Sequence, residues 1–307
     1  MIQNGVSTST YYRKVRLPTG DEDDPESFLP EKPFWKLINL VAEQENIPDF
    51  GTQVAEIRPW HKIESLAPLL QNSKTLKDLL MGFCNVASKQ STHAHFALEQ
   101  SSKSTWFKKL GKPLLRNDSQ MEMYRLTSMI QLIQIAAGST WVPEKVRLMM
   151  KKTCLDKHCR WIQNSKLVFE SKETSILIPN DLLGMPVSLE IPITGTRLRT
   201  YDINADFLDS LIQIIRIYIG HGDSSIDTIS EAVDIPVRTL QRRLHNNGYK
   251  FNNLCGELKQ QIAMECLTTG KSVSETARLL NYSDIAHFTR AFKRWTGKTP
   301  TCFKISR

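Results

Sequence analysis

Two pentapeptides near the C-terminus share one pattern. Leu240-Gln241-Arg242-Arg243-Leu244 and Phe288-Thr289-Arg290-Ala291-Phe292 both read apolar, polar, Arg, any residue, apolar. An Arg fork bonds guanine bidentately, Gln bonds adenine, and small apolar groups meet a thymine methyl. Around the first pentapeptide, Arg238, Gln241 and Arg242 fall on the outward stripe of a helix; around the second, Ile285, Ala286, His287, Thr289 and Arg290 do the same. Arg243, Lys293, Arg294 and Lys298 stand where cations would hold phosphates rather than read bases. The chemistry these residues suit is recognition of double-stranded DNA.

Base reading demands that such side chains be held on rigid helices. The surrounding residues supply the signals for them. Phe207, Leu211, Ile214, Ile215 and Tyr218 predict a helix ended by Gly220 and Gly222. Ser225 caps a short helix over Ile226 to Val233, and Pro236 opens the next, which reaches about Asn246. Phe251 to Leu267 reads as one long helix, roughly 25 Å at 1.5 Å per residue. Ser272-Val273-Ser274-Glu275 is a capping box. Ser283 or Asp284 caps a helix that runs to Trp295 and stops at Gly297, and Thr299-Pro300 opens a last turn. Two helix-turn-helix units result, one glued by Ile229, Val233, Leu240 and Leu244, the other by Thr276, Leu279, Leu280, Phe288 and Phe292. The long helix sets their separation. If both enter major grooves, the grooves are successive turns of one duplex face, about 34–36 Å apart.

The totals agree. With 307 residues two domains are expected, and 40% apolar with 23% charged residues is a globular composition. Of the net charge of +8, residues 225 to 307 carry most, with 13 Lys and Arg against 7 Asp and Glu. Positive charge therefore concentrates where phosphates would be met. No apolar run approaches the ~20 residues of a membrane span. Polar residues occupy the N-terminus where a signal peptide would be apolar. Six cysteines in so long a chain do not make a disulfide scaffold. A cytoplasmic, nucleoid-associated protein with reduced thiols is expected. Cys154, His158 and Cys159 lack a second ligand pair nearby in sequence, so no metal and no other cofactor is expected. No Gly-rich phosphate loop, His-Glu-x-x-His or Gly-x-Ser-x-Gly motif occurs, and an enzyme is not expected.

Upstream, residues 1 to 30 hold an acidic run and prolines 18, 25 and 30, and read as an exposed arm. Residues 31 to 190 read as an α+β domain. Helices are predicted from Glu31 (Phe34, Leu37, Ile38 and Val41 on one face), over Thr75 to Ala87, and over Ser119 to Ala137 as a strongly amphipathic helix closed by Gly138. A hairpin joins His93–Glu99 to Ser104–Leu110; Pro143 opens a short helix; Lys166–Phe169 and Ser175–Ile178 are strands. Residues 191 to 204 are the linker. Residues 205 to 307 form an all-α domain of two helix-turn-helix units joined by a long helix.

The stretch from Ser272 to Ser306 resembles the signature of AraC-type transcriptional regulators. The matching residues are Leu279-Leu280, Tyr282-Ser283, Phe288-x-Arg290-x-Phe292-Lys293, Gly297-x-Thr299-Pro300 and Phe303-Lys304. The resemblance covers about 205 to 307 and implies base reading by the outward residues named above. It departs from the family at Asp234 and Asn281, where glycine is usual; both residue types tolerate left-handed backbone. Residues 31 to about 190 more weakly resemble the effector-binding domain of one branch of that family. That resemblance implies a regulator whose occupancy of promoter DNA responds to a small, apolar effector, with RNA polymerase and a second copy of the chain as partners. Candidate effector contacts are His61, His93, His95, Trp106 and Arg147. The alternatives are a constitutive regulator with a purely dimerising N-terminal domain and, less favoured, a repair or other enzyme fused to a DNA module.

Overall fold

The computed structural model describes residues 8–18, 30–57, 59, 66–90, 93–115, 119–152, 164–187, 207–221 and 223–305. The expected linker, 191 to 204, lies outside them. The chain forms two compact units: Met1–Leu37 with Ala205–Arg307, and Ile38–Asn204. The division falls inside the helix predicted from Glu31.

The second unit contains α3 (Phe50–Ile57), α4 (Ala67–Asn72), α5 (Leu76–Gln90), β1 (His95–Gln100), β2 (Ser104–Leu110), α6 (Ser119–Ala137), β3 (Lys145–Arg147), β4 (Lys166–Val168) and β5 (Thr174–Pro179). The strands make one five-stranded sheet in the order β1-β2-β5-β3-β4. All neighbours are antiparallel except β3 and β4. The hairpin is as predicted, its turn closed by the Ser101 amide donating to the Ser104 carbonyl at 2.9 Å. Asn180 braces it, donating to the Ser101 carbonyl at 2.9 Å and accepting from the Thr105 hydroxyl at 2.7 Å. Strand alternation sends Phe96, Phe107, Val146, Ile176 and Ile178 to one face, where Phe83 of α5 and Met123, Leu126 and Ile130 of α6 complete the core.

Two expectations for this unit need correcting. Pro143 opens no helix; the chain beyond it becomes strand β3, with Val146 paired to Ile176. Its alternation, not a helical period, puts Val146 and Leu148 inside. Nor does α6 have a solvent face of the breadth expected. Gln120, Glu122, Arg125, Thr127 and Ser128 are buried beside its apolar residues. Helix α3 packs there: Gly51 N–H donates to Gln120 Oε1 at 2.8 Å, and Gln131 Nε2 donates to the Ala55 carbonyl at 3.4 Å.

The first unit begins with α1 (Thr8–Lys14) and the start of α2 (Glu31–Gln44). Part of the arm expected to be exposed is therefore structured: Thr8–Lys14 are helical, and Tyr11 and Leu17 are buried. The rest is α7 (Phe207–Gly220), α8 (Ile226–Ala232), α9 (Val237–Asn246), α10 (Phe251–Thr268), α11 (Val273–Leu279), α12 (Ile285–Thr296) and α13 (Pro300–Ile305). One core runs through both helix-turn-helix pairs, joining Leu211, Ile229, Leu240, Leu244, Leu258, Leu280, Phe288 and Phe292. The glue residues behave as predicted, with Val233 and Leu279 at its edge.

Candidate nucleic-acid interface and effector site

Each reading helix is set by local chemistry before its surface matters. Ser225 Oγ accepts the Thr228 amide at 3.2 Å and starts α8. The turn into α9 passes through Asp234 with φ 52°, and the equivalent turn into α12 passes through Asn281 with φ 59°. These are the two positions where the resemblance led to glycine, and both adopt the left-handed backbone that glycine takes freely. Ser272 and Glu275 close a reciprocal capping box at 3.1 and 2.7 Å. Of the two candidate caps for α12, Asp284 is the one that serves: its Oδ1 accepts the His287 amide at 2.7 Å. That bond, which the charged carboxylate accepts better than the acid, holds the Asp284 carboxyl below its ordinary range.

Outside the core, α9 presents Arg238, Gln241, Arg242 and Arg243 to solvent. Helix α12 presents Ile285, Ala286, His287 and Arg290, with Thr289 half-buried, and Lys293, Arg294 and Lys298 exposed towards its end. Arg243 is partly engaged, its guanidinium lying 5.1 Å from the Phe207 ring. Two pairs fix the frame behind these helices. Arg216 of α7 binds Glu265 of α10 through both carboxylate oxygens at 2.9 Å. Lys304 of α13 donates to the carbonyls of Gly270 and Lys271 at 2.9 and 3.0 Å. The matching Phe303-Lys304 motif thus closes the module: Phe303 stacks edge-on against Phe292 at 5.5 Å. Helix α10 spans 18 residues, about 27 Å at 1.5 Å per residue.

Sequence reasoning missed a further set of residues. Lys32 pairs with Asp234, and Lys36 pairs with Glu231 at 2.5 Å. Tyr218 Oη donates to the Arg16 carbonyl at 3.1 Å. These contacts join segments some 200 positions apart. The signal available in the sequence was an acidic cluster, Asp223, Asp227, Glu231 and Asp234, inside an otherwise basic module.

In the other unit, two of the five effector candidates meet. The Arg147 guanidinium lies 3.9 Å from the centre of the Trp106 ring, with Lys145 Nζ at 5.9 Å. The strand register puts Trp106 and Lys108 beside Leu177 and Ser175, and Ser175 beside Arg147, on the sheet face opposite the α5 and α6 core. The site is therefore not lined by the apolar core. It is a Trp set among charges, where Lys108 pairs with Glu99 and, at 2.9 Å, with Glu173. Those two carboxylates raise the Lys108 pKa. The Ser175 hydroxyl is fully buried on this face and has no hydrogen-bond partner among the described residues. His95 is exposed at the edge of β1, paired with Leu110, and His93 is half-buried in the turn before it. His61, like Cys154, His158 and Cys159, lies outside the described residues. Among the described residues no cluster of His, Cys, Asp and Glu could hold a metal, and no helix is long and apolar enough to cross a membrane.

Known proteins match both halves. Residues 229–305 match a helix-turn-helix domain family, and residues 5–187 match the arabinose-binding N-terminal domain of the AraC transcription regulator. The HTH-type transcriptional regulator VirS of Mycobacterium tuberculosis is 22% identical over 99% of this chain and 92% of its own length. The HTH-type transcriptional regulator RipA of Corynebacterium glutamicum is 33% identical over 26% of this chain and 24% of its own. Among solved structures, the transcriptional regulator CdpR from Pseudomonas aeruginosa is 16% identical, covers 96% of this chain and 95% of that one, and has a TM-score of 0.39, too loose a likeness to bear on the fold.

Proposed function

The chain belongs to the AraC family of transcription regulators, and on that premise we propose that it reads promoter DNA through α9 and α12 and is controlled by a small molecule bound to the unit of residues 38–204. The observation that carries the first part is the surplus of exposed Arg and Gln on α9, a helix whose core positions Leu240 and Leu244 are already filled. Packing needs none of Arg238, Gln241 or Arg242. A helix entering the major groove needs such residues to bond base edges. Helix α12 reads differently: Ile285 and Ala286 suit thymine methyls, Thr289 and Arg290 supply the polar contacts, and Arg243, Lys293, Arg294 and Lys298 hold phosphates.

The effector reading rests on the Trp106–Arg147 stack. An indole offers a flat apolar surface, and the Arg147 guanidinium, which Glu173 meets only at 3.8 Å, offers a fork for an acid. Together they suit a small, largely apolar molecule that carries one carboxylate. Binding there would bias DNA occupancy by favouring one state of the protein over another. Contact with RNA polymerase and pairing of two copies on repeated operators belong to the same proposal.

Footprinting on the DNA flanking the gene, with and without small carboxylic acids, tests both parts. Arg242→Ala should weaken specific binding by about 1–3 kcal/mol and relax preference at one base pair, whereas Arg294→Ala should weaken binding to all sequences. Equal loss on specific and random DNA in the Arg242 variant would refute base reading. A thermal shift with an aromatic acid that survives in both Trp106→Ala and Arg147→Ala would refute the effector site.

A further inference from the structure

The first helix-turn-helix unit carries a charge that opposes its task. Asp223, Asp227 and Glu231 lie before or along α8, and Asp234 sits in the turn after it, four residues before Arg238. In a docked helix-turn-helix the N-terminal end of the second helix enters the groove, so the turn ahead of it lies close to the phosphates. Bare carboxylates there repel DNA. The two nearest α9 are not bare in this protein. Lys32 and Lys36, one turn apart on the first half of α2, pair with Asp234 and Glu231. The charge of Arg16 also bears on Glu231 and Asp223, and its carbonyl takes the hydroxyl of the buried Tyr218. Lys36 is the main reason the Glu231 carboxyl is held below its ordinary range.

We propose that the N-terminal segment through Leu37 is a working part of the DNA-reading surface: docked on α8, its Lys32 and Lys36 cancel Glu231 and Asp234 and so permit α9 to approach the phosphate backbone. DNA affinity then depends on the segment being in place. Anything that draws Lys32 and Lys36 away weakens binding without touching a base-reading residue. The inference rests on the reading that α9 enters the groove.

The test uses the full chain and a random-sequence duplex, whose binding is almost wholly electrostatic, followed by fluorescence anisotropy from 50 to 200 mM salt. Replacing both lysines, Lys32→Gln with Lys36→Gln, should weaken binding on the order of 3- to 10-fold at the low end of salt, with the difference shrinking as salt rises. Adding Glu231→Gln and Asp234→Asn to that variant restores the net charge of the patch and should return affinity to the parent value. Unchanged or tighter binding by the double variant overturns the proposal; tighter binding would make the segment a brake instead. A fourfold variant as weak as the double one also overturns it, because the docking would then matter through shape and not charge. Arg243→Ala, at the phosphate-holding residue of α9, measured alongside separates the two levels. If it weakens binding while the lysine pair does not, this inference alone fails; if it too has no effect, the groove-reading assignment fails with it.

Discussion

Replacing Glu122 with alanine tests how the unit of residues 38–204 is held together. This carboxylate is buried on α6, where Oε1 accepts the Met149 amide at 2.6 Å and the Thr174 hydroxyl at 2.5 Å, and Oε2 accepts the Met150 amide at 2.7 Å. It therefore ties the helix both to β5 and to the chain that follows β3. Alanine leaves two amides and a hydroxyl without their acceptor. Orphaning a buried donor costs about 1–3 kcal/mol, and three donors lose their acceptor here. A loss of ~4 kcal/mol is expected. For a unit of about 170 residues, an unfolding entropy of ~2.1 cal/mol/K per residue turns that into a fall in Tm of roughly 11 °C. Calorimetry of the full chain should show the loss in one transition, with the DNA-reading unit unmoved. The pH dependence carries a second signature. Burial, outweighing the three hydrogen bonds and the Arg125 charge, raises the Glu122 pKa above its ordinary value. The folded state then takes up the proton before the unfolded one. The stability linked to this group is complete below the unfolded pKa and is lost as pH rises through the folded pKa. Glu122→Gln should remove that slope. An alanine variant within about 1 kcal/mol of the parent would refute the reasoning, since it would mean water or a neighbour replaces the carboxylate at little cost.

Two further substitutions probe backbone placement. Gly51→Ala would set a Cβ 1.9 Å from the Gln120 carbonyl oxygen, and because a helix backbone cannot yield as a side chain does, a loss of about 3 kcal/mol or more is expected; an unchanged melt would show that α3 does not approach α6 this closely. Asn281→Gly should stabilise the DNA-reading unit by about 0.5–1 kcal/mol in chemical denaturation, by relieving the left-handed turn. Asp234→Gly should gain less, because it also removes the partner of Lys32.

What could be read from the sequence follows how locally each feature is encoded. The DNA-reading unit was legible almost residue by residue. The starts of α8, α11 and α12 are caps a few residues long, the stops of α10 and α12 are Gly270 and Gly297 with positive φ, and its core repeats at helical spacing. The sheet was legible where strands alternate, as in β2 and β5. It was misread at Pro143, because a proline before a short apolar segment opens a helix or a strand equally well, and only pairing with β5, some 30 residues on, decides for β3. The polar side of α6 looked like a solvent face for a similar reason. Gln120 and Gln131 are buried or half-buried by α3, about 70 residues earlier, and no periodicity announces a partner at that distance. The pairing of Lys32 and Lys36 with the acids of α8 is the extreme case. Each side alone reads as an ordinary charged surface, and the meaning lies in their meeting.

The same logic explains why the residues proposed to face DNA stand out at all. A reading helix must satisfy its core first, and what remains exposed is free to serve a ligand. On α9 the remainder is Arg and Gln. On α12 it includes Ile285, which is 48% exposed at the first position of the helix, while Phe288 and Phe292 fill the core completely. An exposed isoleucine where the core is already full gains nothing from packing and costs hydration. On the proposed reading it meets a thymine methyl in the major groove, an apolar partner of the right size. On that proposed reading the two copies of the motif divide the work, with α9 reading by hydrogen bonds and α12 by apolar contact and phosphate anchoring.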